Sequence, residues 1–362
     1  MAITLRSRRE IELMRRAGAV VANVLSKLGE IAEPGVTTAW LDRVALQMTV
    51  EAGAEALKLS QSLRAIGEAL EDVSTFSDPN GVYYIEKFGK YNKVRVCKRL
   101  MDVSDLLWRD MICHTTSTIA TSATMAIEGN CEYVKGEMGM KESKDIVASS
   151  PFNYKKQALM ILSANAPDPT QKESYPDKVA RIAEAVIQHA KGRTLCLFTS
   201  YRVLKHVASH LSAITNYSYP VLVQGDAPRM QLIEKFKAVE NSVLLGTESF
   251  WTGVDVPGPS LSCLLIDKIP FPTPGDPVLD AIQEAAGGFH KSFWKISVPR
   301  AVLQLRQGVG RLIRSRSDKG VLVILDNRLV TKGYGSVFTD SLPPMRRGSG
   351  IRNGEITKWL ES

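Results

Sequence analysis

The stretch from Gln304 to Arg314 holds the side chains best suited to chemistry. Gln307, Arg311 and Arg314 stand at positions i, i+4 and i+7, a spacing that places them on one face if the stretch is helical. A guanidinium matches a pair of phosphate oxygens, and arginine stabilises the charge that develops in phosphoryl transfer. The spacing therefore favours a phosphate-binding face, with a solvated basic helix face as the alternative.

Two glycines lie in the same stretch. Gly308 and Gly310 each cost a helix about 1 kcal/mol relative to alanine. A pair of glycines inside an otherwise good helix predicts that another backbone passes close by.

Short apolar runs must position these side chains. Each run is apolar on both faces and is separated from the next by a helical pattern, which predicts an α/β fold with a parallel sheet covered by helices on both faces. Ligands of such sheets bind at the carboxyl ends of the strands, so the residues after each run are the candidate site. The runs are Thr194–Thr199, Val221–Val223, Val243–Leu245, Cys263–Ile266 and Val321–Leu325.

Polar residues follow two of these runs. Thr199, Ser200 and Tyr201 lie at the end of the first run. Ser200 is a suitable N-cap for the next helix, whose positive end would hold a nucleic-acid phosphate, although an ordinary cap explains it equally well. Gly246 and Thr247 follow the third run and would let the backbone approach a phosphate.

An aromatic pair comes just after Thr247. Phe250 and Trp251 would stack or wedge against nucleic-acid bases. Adjacent aromatic residues also occur in hydrophobic cores, so core packing is the alternative interpretation.

The N-terminal region has a different pattern. Ser7 and Glu10 form a capping-box pattern that opens an apolar helical run, and a second helix is predicted from about Thr38. The next predicted elements are a helix over 59–71 and two short strands, Val82–Glu86 and Val94–Cys97.

Length and charge limit the class of protein. The chain has 362 residues, of which 44% are hydrophobic and 23% charged, with a formal charge of +8. That length accommodates two domains or parts of domains, and the positive charge favours a polyanionic partner. No apolar run reaches the roughly 18 residues that a membrane span needs, so a cytoplasmic protein without a membrane segment is expected.

The cysteines point to a reducing compartment. The chain has five, and none shares a C-x-x-C spacing with another. Buried free thiols are therefore expected, with no disulfide framework and no metal site.

Several of these motifs together resemble a known family. The pattern Gln307-x-x-Gly310-Arg311-x-x-Arg314 resembles motif VI of superfamily 2 helicases. With the stretches 251–258 and 266–271, the resemblance narrows to the DinG/XPD-like family of ATP-dependent DNA helicases. It implies a RecA-like, P-loop NTPase-type fold in which Arg311 and Arg314 act as catalytic residues that reach the γ-phosphate of a nucleotide.

The same resemblance implies roles for further residues. The segment Thr121–Thr124 resembles motif III, which couples the nucleotide site to the DNA-binding face; a plain turn of small hydroxylated residues is the alternative. The implied coupling residues are Thr121, Ser122, Ala123 and Thr124. The implied nucleotide-binding residues are Gln307, Gly253, Asp255 and Gly310. The implied nucleic-acid-binding residues are Thr199, Ser200, Tyr201, Gly246, Thr247 and Trp251.

Residues 1–57 resemble the N-terminus of type I methionine aminopeptidases. That resemblance stops near Leu57, and no positions matching the metal ligands of those enzymes follow, so no dinuclear peptidase site is expected. The predicted organisation is an aminopeptidase-like helical leader over 1–57, the last part of helicase domain 1 over 58–148, and helicase domain 2 over 149–362.

The helicase resemblance implies ATP and Mg²⁺ as cofactors, single-stranded DNA as partner and a role in DNA repair. The chain contains neither a G-x-x-x-x-G-K-[S/T] loop nor an Asp-Glu-x-His box, which hold the nucleotide and Mg²⁺ in such enzymes. Little or no ATP hydrolysis by the chain alone is therefore expected, with a separate helicase domain 1 as a further partner. The alternatives are a non-catalytic nucleic-acid-binding module, a truncated aminopeptidase fusion, or two genes joined by error.

Overall fold

The structure is a computed structural model that describes residues 8–32, 40–41, 43–48, 50–51, 72, 75–88, 93–214, 217–251, 256, 258–351 and 354–362. The chain divides into two compact units, residues 1–99 and residues 100–362. All of the predicted site residues belong to the second unit.

The first unit contains a long helix and a two-stranded sheet. Helix α1 spans Arg8–Ile31, residues between 40 and 51 are helical where the structure describes them, and the sheet pairs β1 (Gly81–Phe88) with β2 (Lys93–Leu100). The predicted first helix and both predicted strands are confirmed, whereas the predicted helix over 59–71 lies outside the described residues. In this unit the Lys98 ammonium, with the Ser77 and Tyr83 hydroxyls, lowers the pKa of Asp72 to about 2.

The second unit is built on a seven-stranded sheet in the order β5-β6-β4-β7-β8-β3-β9. Every neighbouring pair runs parallel. The strands are β3 (Ala158–Leu162), β4 (Thr194–Leu197), β5 (Val221–Val223), β6 (Val243–Gly246), β7 (Cys263–Ile266), β8 (Gly320–Ile324) and β9 (Arg346–Arg347). The predicted parallel α/β fold is therefore confirmed.

Side chains of the central strands alternate between two hydrophobic cores. In β4, Leu195 and Leu197 belong to one core, and Cys196 belongs to the other. Both faces of the sheet are thus buried, which explains why the strands appear in the sequence as continuous apolar runs. Cys131 and Cys263 are also buried, but Cys97 is half-buried and Cys113 is exposed, so the prediction of buried thiols is wrong for those two residues.

Helices cover both faces of the sheet. The structure contains α2 (Ser104–Asp110), α3 (Glu132–Glu137), α4 (Tyr154–Gln157), α5 (Tyr175–His189), α6 (Tyr201–Ser212), α7 (Arg229–Ala238), α8 (Glu248–Trp251), α9 (Pro277–Ala285), α10 (Phe289–Ser292), α11 (Val298–Val309), α12 (Arg328–Thr331), α13 (Gly335–Ser341) and α14 (Glu355–Glu361). A π-helical turn, Phe293–Ser297, joins α10 to α11. Among the described residues, no helix combines the length and the apolar character that a membrane span requires.

The segment before the sheet is tied to α11 and α13. The Arg306 guanidinium donates to the Ala126 carbonyl, Arg300 Nε donates to the Tyr133 hydroxyl at 3.1 Å, and the Glu128 N–H donates to Ser341 Oγ at 3.2 Å. Residues 100–148 accordingly belong to the same compact unit as the sheet. The domain boundary at 148/149 stays a prediction from sequence.

Candidate functional site

The stretch from Gln304 to Arg314 is helical only in part. Helix α11 ends at Val309, and Gly310 caps it by donating its N–H to the Arg306 carbonyl at 2.8 Å. The prediction that Gln307, Arg311 and Arg314 share one helical face is therefore wrong. The chain leaves the helix because Leu312 and Ile313, at 2% exposure each, turn into the core.

Arg311 points inward instead of toward solvent. Only 9% of the residue is exposed, and its Nε donates to the Trp251 carbonyl at 3.1 Å while Nη2 donates to the same oxygen. Burial, with a smaller contribution from the charge of Arg229, lowers the pKa of the guanidinium. Arg311 thus fixes the end of α8 to the loop that follows α11.

Arg314 stabilises the next turn. Its backbone N–H donates to Asp318 Oδ2 at 2.8 Å, and its Nε donates to the Arg311 carbonyl at 3.3 Å. Burial lowers the pKa of the half-buried guanidinium, against the opposing charge of Asp318. The side-chain amide of Gln157 closes the turn by donating to the carbonyls of Ser315 (2.8 Å) and Asp318 (3.0 Å).

The two glycines have different surroundings. A Cβ added at Gly308 would lie 3.0 Å from the Trp251 ring, and one at Gly310 would lie 3.2 Å from the Arg306 carbonyl oxygen. The close neighbour of Gly308 is therefore an indole side chain, and the predicted approach of another backbone is wrong. Gly310 is the helix cap and is exposed.

Gln307 faces an open cleft of about 520 Å³ between α3, α8 and α11. Glu137, Glu248, Ser249 and Arg300 also line this cleft, whereas Arg311 and Arg314 do not. The structure therefore separates the amide from the two guanidinium groups. Arg300 Nη2 lies 3.4 Å from Glu137 Oε2, so the Glu137 carboxylate partly balances the positive charge of Arg300.

A glutamine outside the predicted site residues joins the ends of three strands. Gln224 follows β5, and its Oε1 accepts from the Thr247 N–H at 2.6 Å and from Thr247 Oγ1 at 3.0 Å. Its Nε2 donates to the Tyr201 hydroxyl and to Ser249 Oγ at 3.1 Å. All four hydrogen-bonding positions of the amide are engaged, so Gln224 fixes the loops after β4 and β6 relative to each other.

The predicted residues at these strand ends come together around Gln224. Ser200 is the N-cap of α6, with Oγ accepting from the Val203 N–H at 3.4 Å, as predicted. Tyr201 is half exposed and Thr247 is buried. A Cβ added at Gly246 would lie 2.6 Å from Phe250, so this glycine allows close packing beneath the loop.

Trp251 is placed differently from the prediction. Both Phe250 and Trp251 are 1% exposed and belong to the hydrophobic core. Stacking of bases on the Trp251 ring is therefore contradicted, because the ring packs against Gly308. Its carbonyl remains important as the acceptor for Arg311. The predicted nucleotide-binding residues Gly253 and Asp255 lie outside the described residues.

Two buried aspartates hold the loops after β7 and β8. Asp267 Oδ1 accepts the N–H groups of Thr199 (3.0 Å) and Lys268 (2.8 Å). Asp326 accepts the N–H of Ile269 at 2.9 Å and pairs with the Arg328 guanidinium at 2.6 Å. Burial raises the pKa of Asp267 to about 7, against the opposing effects of the Lys268 charge and the two N–H donors.

Replacing Asp267 with asparagine is expected to remove a pH dependence of stability. Asparagine retains an acceptor for both N–H groups and can donate to Thr199 Oγ1, which lies 3.4 Å from Asp267 Oδ2. The pKa of Asp267 is about 7 in the folded protein and 3.8 for the reference carboxyl. Protonated Asp267 therefore contributes to the wild-type free energy of unfolding in full below about pH 4, and this contribution is lost as pH rises through 7. The variant's free energy of unfolding, relative to wild type, should rise by about 2 to 3 kcal/mol between pH 5 and pH 8.

Urea denaturation across that pH range measures this difference. The matched control is Asp326→Asn, which should destabilise the protein at pH 8 because Arg328 loses its carboxylate partner. Parallel pH profiles for wild type and Asp267→Asn would contradict the assignment.

The predicted coupling segment is a local turn on the surface. Ser122 Oγ lies 3.3 Å from Thr124 Oγ1 and accepts from the Thr124 N–H at 3.2 Å. Thr121, Ser122 and Ala123 are exposed. The segment reaches α11 through the nearby bond from Arg306 to the Ala126 carbonyl. Within the described ranges, no cluster of three or more His, Cys, Asp or Glu side chains is arranged to hold a metal ion.

Comparisons with known proteins show that the chain is similar to helicases. Residues 183–345 match the model of the helicase C-terminal domain. The chain is 34% identical over 335 residues to the ATP-dependent DNA helicase YoaA of Escherichia coli, an alignment that covers 89% of this chain and 51% of YoaA. It is 36% identical over 303 residues to the ATP-dependent helicase DinG of Mycobacterium tuberculosis, covering 81% of this chain and 44% of that protein.

A third relative carries a different activity in its name, and a solved structure shares the fold. The 3'-5' exonuclease DinG of Bacillus subtilis is 32% identical over 76% of this chain and 31% of its own length. The structure described as XPD_Helicase has a TM-score of 0.53 and 19% identity, covering 92% of this chain and 62% of that chain. The chain spans about half the length of the first two relatives. None of these relatives is an aminopeptidase, so the resemblance of residues 1–57 stays a prediction.

Proposed function

Because this chain carries a helicase C-terminal domain of the DinG/XPD-like family, we propose that it supplies the second motor domain of an ATP-dependent DNA helicase. Single-stranded DNA is its proposed partner, and DNA repair is the proposed setting. The observation that carries the proposal is the Gln224 network, which brings Tyr201, Thr247 and Ser249 to one edge of the sheet.

The proposed DNA-binding surface is that edge. Backbone N–H groups, hydroxyls and helix N-termini are common phosphate ligands, and the loops after β4 and β6 supply all three kinds of group. Thr199, Ser200, Tyr201, Gly246 and Thr247 are the proposed contacts. Gln224 is a positioning residue, since its own polar atoms are already occupied.

The proposed nucleotide contacts are Gln307, Gly310, Gly253 and Asp255, with Arg311 and Arg314 acting on the γ-phosphate and Thr121–Thr124 coupling the two sites. The described residues fit ATP and Mg²⁺ only in part. Gln307 offers an amide in the cleft, but Glu137 and Glu248 line the same cleft, and the described residues form no cluster for a divalent cation. Hydrolysis by this chain alone is therefore not proposed, and the phosphate cradle is proposed to come from a first helicase domain.

A non-catalytic nucleic-acid-binding module is the second candidate function. The lack of a G-x-x-x-x-G-K-[S/T] loop in the sequence favours it. Both functions predict binding of single-stranded DNA without ATP, and they differ in whether hydrolysis appears when a first domain is supplied.

Binding of single-stranded DNA is expected to be strong at low salt and to fall as salt rises. Each phosphate contact to single strands contributes about −0.7 to the slope of log K against log salt, so about four contacts predict a loss of roughly 50-fold between 50 and 200 mM salt. Fluorescence anisotropy of a labelled oligo-dT strand measures this loss. Gln224→Ala should weaken binding by about 10-fold, since four hydrogen bonds from one amide to three loop residues are lost.

The matched control is Gln188→Ala on the exposed face of α5, which should leave affinity unchanged. Thermal unfolding of each variant separates a binding defect from a folding defect. Absence of binding by the wild-type chain at 50 mM salt would refute the proposal.

A further inference from the structure

Two aromatic side chains are exposed at the start of the helical segment that leads into α11. Phe289 is 66% exposed and Trp294 is 44% exposed, whereas the neighbouring aromatic residue Phe338 is fully buried. Large exposed aromatic side chains that lie next to each other are typical of binding surfaces.

Both rings rest on a fixed aromatic base. Phe293 contacts Phe289 and Trp294 at centroid distances of 5.8 and 5.9 Å, and it contacts Phe271 and Tyr334 at 5.4 and 5.3 Å. Phe271 in turn contacts the buried Phe338 at 5.7 Å. Because the base is anchored in the core, the exposed rings lose little conformational freedom when a ligand binds.

The backbone beneath the rings is unusual. Gly287 and Gly288 open the segment with φ values of +83° and +103°, and a π-helical turn spans Phe293–Ser297. Single π-helical turns inside longer helices occur frequently at functional sites. This observation is independent of exposure and supports a binding role for the same residues.

Cationic side chains lie between the aromatic ones. His290, Lys291 and Lys295 are exposed. Among the described residues, no ion pair with a carboxylate is formed by either lysine, so both ammonium groups can hold an anionic ligand. Rings that stack and cations that hold phosphates are the combination used to bind single-stranded nucleic acid.

The aromatic base beneath this surface lies at the same edge of the sheet as the proposed DNA contacts. Phe271 comes shortly after β7, Arg328 comes shortly after β8, and the Arg328 guanidinium lies 5.5 Å from the centre of the Phe271 ring. The aromatic base thus stands at the carboxyl ends of β7 and β8, and the Gln224 network stands at the ends of β4, β5 and β6.

We infer that Phe289 and Trp294, with Lys291 and Lys295, form a base-stacking platform that binds single-stranded DNA. This inference rests on the proposed function and extends its DNA path to residues beyond the helicase motifs. Unpaired bases present their π faces to the rings, and the phosphates between them meet the lysines. A duplex buries those π faces in its own stack, so the platform selects single strands.

Anisotropy with labelled oligo-dT tests the platform in the full chain. Phe289→Ala and Trp294→Ala should each weaken binding by about 10-fold, the effect of losing one stacked base, without changing the slope of log K against log salt. Trp294→Phe should restore most of the affinity. Lys291→Gln and Lys295→Gln should each reduce the magnitude of that slope by about 0.7.

A strand with abasic sites distinguishes a loss of base stacking from a non-specific loss of affinity in the variant. It should bind wild type less tightly than oligo-dT does, and Trp294→Ala should cause little further loss with it. Trp108→Ala, which removes a tryptophan of 50% exposure elsewhere in the unit, is the matched control and should bind as wild type does.

The outcomes separate this inference from the function on which it rests. Wild-type affinity in Phe289→Ala and Trp294→Ala, with weakened binding in Gln224→Ala, would overturn the platform and leave the DNA-binding proposal intact. Equal losses by Trp294→Ala on oligo-dT and on the abasic strand would also overturn it. A wild-type chain that binds no single-stranded DNA would overturn both.

Discussion

Arg311→Ala is expected to lower ATP hydrolysis by about 1,000-fold once the chain is joined to a first helicase domain that supplies the phosphate cradle. Arginines that act on the transferring phosphoryl group contribute about 10³ to 10⁵ in rate. In this structure the guanidinium also holds the Trp251 carbonyl, so the substitution loosens the loop after β6 as well. Steady-state hydrolysis with single-stranded DNA measures the loss.

Two further substitutions define the cause of that loss. Arg311→Lys keeps a positive charge but cannot reproduce the two parallel donors, and it should recover only a small part of the rate. Arg316→Ala removes an exposed arginine of the same loop and should hydrolyse ATP at the wild-type rate. A rate for Arg311→Ala within 10-fold of wild type would show that this arginine does not act on the nucleotide.

Gly308→Val is expected to destabilise the second unit by about 3 kcal/mol. A Cβ at this position would lie 3.0 and 3.1 Å from two atoms of the Trp251 ring and 3.5 Å from Leu197, and the additional methyl groups of valine have no space. Overpacking of a core costs typically 1 to 3 kcal/mol, and valine regains little of the helix propensity that glycine lacks. The free energy of unfolding in urea measures the effect.

Gly310→Ala is the matched control for Gly308→Val. Gly310 has a φ of −60°, which any residue adopts, and it is exposed at the end of α11. The free energy of unfolding of the Gly310→Ala variant should stay within about 1 kcal/mol of wild type, because only the Arg306 carbonyl oxygen lies close to the new methyl group. Equal losses at both glycines would mean that the contact with Trp251 is not the cause.

Much of the fold was predictable because most of its strands are buried on both faces and read as apolar runs. Strand β3 was not predicted from sequence. Its residues Ala158–Leu162 are alanine, leucine, methionine and isoleucine, three of which favour helices more than strands. It becomes a strand because β8 and β9 pair with it, and β9 consists of two arginines with no apolar signal.

The candidate site was predictable in composition but not in orientation. The apolar pattern continues past Val309 to Leu312 and Ile313, which indicated a longer helix, and only tertiary burial ends it. Arg311 turns inward toward a carbonyl that lies 60 residues earlier in the chain, which no local pattern specifies. Gln224 and Asp267 could have been predicted as structurally important from the sequence, because each is a polar residue placed directly after an apolar run.

The bond from Arg306 to the Ala126 carbonyl joins two stretches that lie far apart in the sequence. Ala126 lies two residues beyond Thr124, and Arg306 is adjacent to Gln307. The turn Thr121–Thr124 and the helix that carries Gln307 are therefore connected by a short, direct link across 180 residues of sequence. Arg300, one turn and a half earlier in α11, adds bonds to Tyr133 and Glu137, so the segment that follows the turn is held along the length of α11 and not at a single point.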